Sequence, residues 1–344
     1  MPMDLQHHVD TLQAAHPACP GFAMAAIDST GTISMAGSGF ADRAATPFSA
    51  QTPVRTASVT KTIVAAAVLR LYETNQLDID HPIRNVIDPS YNMLLQSGSF
   101  DTQAISTRHL AMHAAGMADH FVSNTFMTRV FGAPDYRWSR QEQLEILVEA
   151  FEPLSAPGER YAYSDSGYIL LGHIIERVTD APLPTAVRQL TKLNSIGLRD
   201  SWWDALEAPI KTGPLRAHQY RDGLDIHGFD GSMDAYGGGG LIASTTQMAR
   251  FFRALFDGRI FDHPETLTTM LNAPGHPRGS PYRIGLFASK LGGLPAYSHA
   301  GYWGTNVIAV PALNLMIAGT TLEKAASKAL IEGMEKIVEL IALK

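Results

Sequence analysis

The 344-residue sequence lacks several features that mark particular classes of protein. It has a single cysteine, Cys19, which excludes an intramolecular disulfide framework. Its formal net charge is -6, and it has no run of lysines or arginines of the kind that forms a basic surface for nucleic acids. We therefore expect neither a nucleic-acid partner nor redox chemistry based on paired cysteines.

Long apolar segments and a recognisable leader are also missing. The longest apolar stretch late in the chain, "VIAVPALNLMIAG", contains Pro311 and Asn314 and is shorter than the ~20 residues that a membrane helix needs. The first residues, "MPMDLQHHVDTLQ", do not show the basic segment and apolar core of a secretory signal. These observations predict a cytoplasmic protein with no membrane partner.

Hydrophobic residues make up 45% of the chain and charged residues 17%, which is typical of a globular protein with a large core. Two short apolar runs separated by "DSTG" predict a hairpin within 21–42, and 305–321 repeats that design around "PALN". The last segment, 322–344, has apolar residues three or four apart and predicts an amphipathic helix. Those residues are Leu330, Met334, Ile337, Val338 and Ile341.

The middle of the chain has a helical period instead, as in "SRQEQLEILVEAF" and "GYILLGHIIERVT". A further helix follows Ser244, which forms a capping box with Gln247 three residues later. We predict one α+β unit over 1–344, with an antiparallel sheet made by both chain ends and flanked by helices. The α+β part would cover about 1–75 and 240–344, and a mostly helical insert about 76–239.

The segment "TASVTKTIVAAAVLRLY" places Ser58 three residues before Lys61, at the start of a helix-periodic run. Residues three apart share a helix face, so the amine can approach the hydroxyl. A serine becomes a nucleophile when a neighbour accepts its proton, and lysine can do so when its pKa is lowered. The alternative is that Ser58 caps the helix and Lys61 is solvated, and the spacing by itself favours that alternative.

Two later segments carry further candidates. In "PGERYAYSDSGYILLG", Tyr163 and Asp165 lie on a polar loop before an apolar helix, and a tyrosine beside a lysine can carry protons. In "YSHAGYWGTNVIAV", His299 and Gly301 precede an apolar strand, whose edge can offer a backbone N–H to an oxyanion. Taken singly, a tyrosine such as Tyr163 is more often a packing residue, and His299 fits a surface or packing histidine as well as a functional one.

Together the three segments resemble, in order and spacing, the serine hydrolase family of class C β-lactamases, D-aminopeptidases, D-alanyl-D-alanine carboxypeptidases and β-lactamase-like (family VIII) esterases. The motifs are "SVTK", "YSD" where the family often has Y-x-N, and "HAG" where β-lactamases have K-T-G. "RHLAMHAAGMADH" and "AYGGGGLIASTTQMARFFRAL" also look like stretches of this family. The resemblance runs from the first hairpin to the last strand and implies a β-lactamase/transpeptidase-like fold.

The resemblance also implies roles for individual residues. Ser58 would form an acyl-enzyme, and Lys61 and Tyr163 would share the work of general base and acid. The backbone N–H groups of Ser58 and Tyr302 would form the oxyanion hole. His299 would line the site, together with Gly301, and assist protonation or orient the substrate.

Two departures from the family pattern bear on the substrate. His299 and Ala300 replace the lysine and threonine that hold a substrate carboxylate in β-lactamases, so we expect an ester, lactone or amide without that carboxylate. Asp165 replaces an asparagine that donates an N–H. It could contact the substrate, pair with Lys61 and thereby favour Tyr163 as the base, or simply cap the following helix.

Other polar clusters predict no cofactor and no metal site. His109 and His113 are four apart but lack the glutamate of a zincin, so we interpret them as structural. "GGGG" at 237–240 has no following Lys-Ser or Lys-Thr and indicates a close-packed or flexible turn rather than a phosphate loop. The adjacent His7 and His8 fit a solvated terminus.

The leading hypothesis is thus a serine hydrolase acting on a small-molecule or peptide-like ester or amide. The alternatives are an acyltransferase on the same scaffold, a β-lactamase or D-alanyl-D-alanine carboxypeptidase, and a binding protein that has lost catalysis. Aromatic residues of the insert either line an apolar cleft or pack against one another. These are Phe126, Trp138, Tyr220 and Tyr236.

Overall fold

A computed structural model describes residues 4–210 and 213–343 of the chain. Its strands are β1 (Gly21–Ile27), β2 (Ile33–Gly39), β3 (Pro53–Arg55), β4 (Trp202–Trp203), β5 (Tyr220–Arg221), β6 (Leu224–Asp225), β7 (Leu241–Ser244), β8 (Phe287–Leu291), β9 (Leu294–Gly301), β10 (Thr305–Val310) and β11 (Leu315–Thr321). Its α-helices are α1 (Leu5–Ala15), α2 (Thr60–Glu73), α3 (Pro89–Ser97), α4 (Thr107–Ala111), α5 (Asn124–Gly132), α6 (Arg140–Ala150), α7 (Asp165–Thr179), α8 (Leu183–Leu190), α9 (Thr245–Phe256), α10 (Pro264–Asn272) and α11 (Ser327–Ala342).

The main sheet is antiparallel and combines strands from both ends of the chain. Its strand order is β2-β1-β11-β10-β9-β8. The predicted hairpins are confirmed, because β1 pairs with β2 and β10 pairs with β11. The two hairpins are joined where β1 pairs with β11, with Met24 opposite Gly319. The predicted α+β fold with a sheet built from both ends is therefore confirmed.

The strand β1 is buried on both faces because helices cover both sides of the sheet. Alternate residues of a strand point to opposite faces. Phe22, Met24 and Ala26 share a core with α1 and α11. The smaller residues Ala23 and Ala25 belong to the larger core on the other face, where α9 contacts β1 and β11.

Local sequence signals account for several helix boundaries. The predicted capping box is present, since Ser244 accepts the Gln247 N–H and Gln247 accepts that of Ser244. The predicted last helix is α11, and four of its five expected apolar residues are buried. In the middle of the chain, α6 and α7 confirm the helical period found there. None of the helices described over 4–210 and 213–343 is long and apolar enough to cross a membrane.

A second, smaller sheet links the chain ends to the middle and supports the candidate site. In it β7 lies between β3 and β4. The chain passes directly from β3 into the turn that precedes α2, and α2 packs against α7 and α8 of the middle region. The proposed boundaries of the helical insert, 76 and 239, stay a prediction.

Candidate active site

Ser58 lies on a tight 3-10 turn, Ala57–Val59, between β3 and α2. The side chain of Ser58 caps neither this turn nor α2, so the capping alternative is wrong. Ala57 has a left-handed backbone with φ of 47°, a conformation that costs free energy in a residue other than glycine. Ser58 is half-buried between fully buried neighbours. A strained turn thus presents one hydroxyl at the surface of a packed region.

Lys61 lies one turn further along and is fully buried. Its Nζ donates to Ser58 Oγ at 2.9 Å and to the carbonyl oxygen of Gly238 at 2.5 Å. It also forms an ion pair with Asp165 Oδ1 at 2.5 Å. Two hydrogen bonds and one ion pair thus engage the ammonium group. Lys61 is therefore held against Ser58 and is not solvated.

The charges around Lys61 determine its protonation. Burial lowers the pKa of the Lys61 amine and is the largest single effect, but the nearby groups Asp165, Tyr163 and Asp234 together outweigh it. The pKa of Lys61 therefore lies above its usual value. Burial also raises the pKa of Tyr163, although the Lys61 charge and a hydrogen bond with Ser58 oppose that effect. The ring of Tyr163 lies 5.1 Å from Lys61 Nζ. At neutral pH the site therefore holds an ammonium and a phenol.

Two further carboxyl groups surround the ion pair. Asp119 Oδ1 accepts the backbone N–H groups of Phe121 and Asp165, at 3.0 and 3.2 Å. Burial and the charge of Asp165 raise the pKa of Asp119 to about 8. The same two causes raise the pKa of Asp234 to about 7. Of the three carboxylates, Asp165 is the one that contacts Lys61 directly. The residue that caps α7 is Ser164, so the capping role considered for Asp165 is wrong.

The end of β9 lies against the turn that carries Ser58. A Cβ atom on Gly301 would be only 2.3 Å from the carbonyl oxygen of Thr56 and 3.2 Å from the Cβ of Ala57. Only glycine allows this approach without displacing backbone. Thr305 fastens the contact by donating its hydroxyl to Thr56 O at 2.7 Å. Tyr302, a proposed source of an oxyanion N–H, is the residue that follows Gly301.

His299 is fully buried, and both of its ring nitrogens have partners within the protein. Nδ1 lies 2.9 Å from the carbonyl oxygen of Ala300, and Nε2 lies 2.9 Å from the hydroxyl of Tyr282. The carbonyl can only accept, so Nδ1 carries the proton and Nε2 accepts from Tyr282. Burial and the Lys61 charge lower the pKa of His299 to about 3. His299 is therefore a neutral side chain enclosed by protein, and its role in lining the site and orienting the substrate stays a prediction.

Aromatic residues of the insert pack beside the nucleophile. Phe126 and Trp138 are buried in one cluster with Ala57 and Trp303, as the packing alternative predicted. Tyr236 is tied to this cluster because its hydroxyl donates to Trp138 O at 2.6 Å. Tyr220 lies on the small hairpin of β5 and β6. Part of the cluster edge remains accessible, where the half-buried rings of Phe121 and Tyr302 lie 5.2 Å apart.

Several residues of the site had no sequence signal of their own. Asp119, Asp234 and Tyr282 are ordinary in their local contexts, and only the fold brings them to Lys61 and His299. Gly238 belongs to the "GGGG" segment, which is a buried, close-packed turn that supplies a carbonyl oxygen to Lys61. Within 4–210 and 213–343, no group of three or more His, Cys, Asp or Glu side chains is arranged to hold a metal ion.

Comparisons with known proteins relate the chain to one family and one fold. A family model described as Beta-lactamase matches residues 6–326. Esterase EstB of Burkholderia gladioli is 29% identical over 303 residues, which cover 77% of this chain and 75% of the esterase. A D-aminopeptidase of Gluconobacter oxydans is 24% identical over 310 residues, which cover 86% of this chain but only 54% of that protein.

Among solved structures, the D-amino acid amidase of Ochrobactrum anthropi SV3, in complex with L-phenylalanine amide, superposes with a TM-score of 0.80. The match covers 98% of both chains at 22% identity. At that identity the likeness establishes a common fold.

Proposed function

The chain belongs to the beta-lactamase family, and from that premise we propose that it is a serine hydrolase. It would cleave an ester, lactone or amide bond through an acyl-enzyme on Ser58. The observation that carries the proposal is the 2.9 Å hydrogen bond from the buried ammonium of Lys61 to Ser58 Oγ. A buried cation that donates to a serine oxygen stabilises the alkoxide character that develops when the serine attacks.

Proton transfer in the proposed reaction involves Lys61 and Tyr163. Asp165 keeps Lys61 charged, so the proton acceptor would be the phenolate of Tyr163, a minor form that the ammonium stabilises. The serine proton passes to this phenolate as Oγ attacks the carbonyl carbon. The phenol then returns the proton to the leaving alcohol or amine when the tetrahedral intermediate collapses.

The developing negative charge on the carbonyl oxygen needs hydrogen-bond donors. We assign this role to the backbone N–H groups of Ser58 and Tyr302, since the close contact of Gly301 with Thr56 brings these two segments together. Deacylation repeats the steps with water as the nucleophile, which gives up its proton to the same Lys61 and Tyr163 pair. The products are a carboxylic acid and free Ser58.

The proposed substrate class follows from the third motif. His299 is buried and neutral, and Ala300 has no hydroxyl, so this part of the site offers no cation for a substrate carboxylate. Phe121 and Tyr302 give the accessible edge an apolar character instead. The relatives named as an esterase and a D-aminopeptidase support ester or amide substrates.

The test is the rate of p-nitrophenyl butyrate hydrolysis by the wild type and by Ser58→Ala, together with labelling by a fluorophosphonate. We expect Ser58→Ala to lose at least about 10³-fold in kcat and to resist labelling. The matched control is Ser195→Ala, because Ser195 lies on an exposed turn after α8 and should leave both readouts unchanged. A Ser58→Ala variant as active as the wild type would refute the proposal.

The two alternatives have their own outcomes in this experiment. If an added alcohol acquires the butyryl group in preference to water, the protein is an acyltransferase with the same first half-reaction. If wild-type Ser58 is neither labelled nor required for any turnover, the protein is a binding homologue.

A further inference from the structure

We propose that His113 is a positioning residue that holds Tyr163 in the orientation needed for proton transfer with Ser58. The proposal rests on the function proposed above. His113 does not touch Ser58 in this arrangement. It acts through the two residues on either side of Tyr163 and through the tyrosine ring itself.

His113 binds the backbone on both sides of Tyr163. Its carbonyl oxygen accepts the N–H of Ala162 at 2.8 Å. Its ring nitrogen Nδ1 accepts the N–H of Ser164 at 3.1 Å. A single residue therefore fixes the peptide before and the peptide after the tyrosine, which limits rotation of the backbone segment that carries the phenol.

The ring of His113 also contacts the tyrosine directly. The two ring centroids are 4.1 Å apart, with an angle of 35° between the planes. On another side the His113 ring lies 4.5 Å from that of Tyr282, whose hydroxyl is bonded to His299. His113 is only 2% exposed, so this stack has little freedom to move. Tyr163 is thereby linked through His113 to the third motif.

The protonation state of His113 suits this role. Burial and the charge of Lys61 hold the pKa of His113 well below its usual value, so the ring is neutral at neutral pH. Since Nδ1 accepts from Ser164, the proton must be on Nε2. A protonated ring could not accept this hydrogen bond and would add a second cation beside Lys61.

The backbone of His113 is held in an unfavourable, left-handed conformation. Its φ is 54°, in the left-handed region that few residues other than glycine and asparagine adopt readily. In this conformation the carbonyl and the ring of His113 both face the loop that carries Tyr163. Strain of this kind persists where surrounding contacts impose it, and here those contacts are the ones to Ala162 and Ser164.

The rest of the loop has anchors that do not depend on the His113 ring. Ser164 Oγ donates to the carbonyl oxygen of Ala118 at 2.7 Å, and the N–H of Asp165 donates to Asp119 Oδ1 at 3.2 Å. Loss of the ring acceptor should therefore leave α7 and its ion pair in place. The main consequence should fall on the orientation of Tyr163.

Two amide variants separate the hydrogen bond from the rest of the side chain. His113→Asn places an amide oxygen near the position of Nδ1 and tolerates the left-handed backbone, whereas His113→Gln places it one bond further out. We expect His113→Gln to lower kcat about 10- to 100-fold with less than about threefold change in KM, as a misplaced catalytic group does. His113→Asn should recover most of that loss and stay within about fivefold of the wild type.

A double-mutant cycle with Tyr163→Phe gives the decisive readout. A residue that acts only through Tyr163 has nothing to position once the phenol is gone. We expect His113→Gln to slow fluorophosphonate labelling of Ser58 strongly in the wild type, but by less than about twofold in the Tyr163→Phe background. Equal losses in the two backgrounds, or equal losses for Asn and Gln, would overturn the proposal.

Controls distinguish this inference from the proposed function. His173→Asn removes a comparable acceptor elsewhere, since buried His173 Nε2 accepts the N–H of Asp88 at 3.1 Å, and it should leave kcat unchanged. If Ser58→Ala retains activity, the proposed function fails. If Ser58→Ala is inactive and His113→Gln has the wild-type kcat, only the inference fails. Should His113→Gln not fold, as judged by thermal unfolding, His113→Ala replaces it with the same expectations.

Discussion

Replacing Asp165 with asparagine removes one negative charge from a buried group and preserves its size. In the structure, Asp165 Oδ1 is 2.5 Å from Lys61 Nζ, and the Lys61 side chain is fully buried. The charge of Asp165 raises the pKa of Lys61 and also that of Tyr163. Whichever of the two groups accepts the serine proton, its basic form should therefore appear at lower pH in Asp165→Asn.

The size of the shift follows from the geometry. Two unit charges 2.5 Å apart attract by about 7 kcal/mol at an effective dielectric constant of about 20. Asp119 and Asp234 offset part of this loss, because their pKa values of about 8 and about 7 are raised by Asp165 and should fall when its charge is removed. The newly ionised neighbours then stabilise the Lys61 ammonium. We expect the pKa of the base to fall by roughly 1 to 3 units, which is the effect that one nearby charge usually produces.

The assay is kcat/KM for p-nitrophenyl butyrate between pH 5 and 10, with the rate of Ser58→Ala subtracted as background. Wild-type kcat/KM should rise with pH through the neutral range and beyond, because both candidate bases have pKa values above their usual ones and are active when deprotonated. For Asp165→Asn, the rising limb of the kcat/KM profile should lie roughly 1 to 3 pH units lower than in the wild type. Thermal unfolding checks that the variant is folded.

An unchanged rising limb, or one displaced to higher pH, would refute this electrostatic reasoning. Asp80→Asn is the control for loss of a carboxylate elsewhere. Asp80 pairs with Arg108 at 2.5 and 2.8 Å and is exposed, so its replacement should not move the pH profile.

Two further predictions concern the third motif. Gly301→Ala should lower kcat about 100-fold, because the new Cβ would lie 2.3 Å from Thr56 O and displace β9 from the Ser58 turn. Slower fluorophosphonate labelling of Ser58 checks this prediction. The control is Gly132→Ala, whose added Cβ meets no atom within 4 Å. The pKa of His299 is about 3 in the folded protein, compared with an ordinary value of 6.5. Between these two pH values the unfolded chain binds more protons than the folded protein. The free energy of unfolding should therefore fall as the pH drops from 6.5 toward 3. In urea titrations, His299→Gln should reduce that dependence by up to about 1.4 kcal/mol per pH unit, and an unchanged slope would contradict the assignment.

The parts of the fold that rest on local periodicity could be predicted from the sequence. The alternation of apolar runs with turn residues predicted β1 with β2 and β10 with β11, and the helical period predicted α7 and α11. The "SVTK", "YSD" and "HAG" motifs also indicated which segments to consider together. These features are encoded within short stretches, where residue type and spacing are sufficient.

The electrostatic surroundings of Lys61 could not be predicted in the same way. Asp119 and Asp234 come from different loops, and no spacing in the sequence relates either of them to Lys61. The sequence supports only a structural interpretation of His113, since its spacing from His109 lacks the glutamate of a zincin. Its contacts with the Tyr163 loop depend on a left-handed backbone that its neighbours in sequence do not specify. Likewise, the apolar run after Ser58 suggested a helix start, whereas the serine lies on a preceding 3-10 turn.

The pairing of β1 with β11 has a consequence for how the protein is made. Phe22 lies opposite Thr321, so the centre of the sheet joins two segments that are far apart in the sequence and are synthesised at different times. Until β11 emerges from the ribosome, the apolar strand Gly21–Ile27 has no partner on one edge. Contacts this distant in sequence slow folding and prolong the exposure of aggregation-prone surface. Nascent chains should therefore depend on chaperones until β11 has emerged, and should gain activity only after that strand has been released.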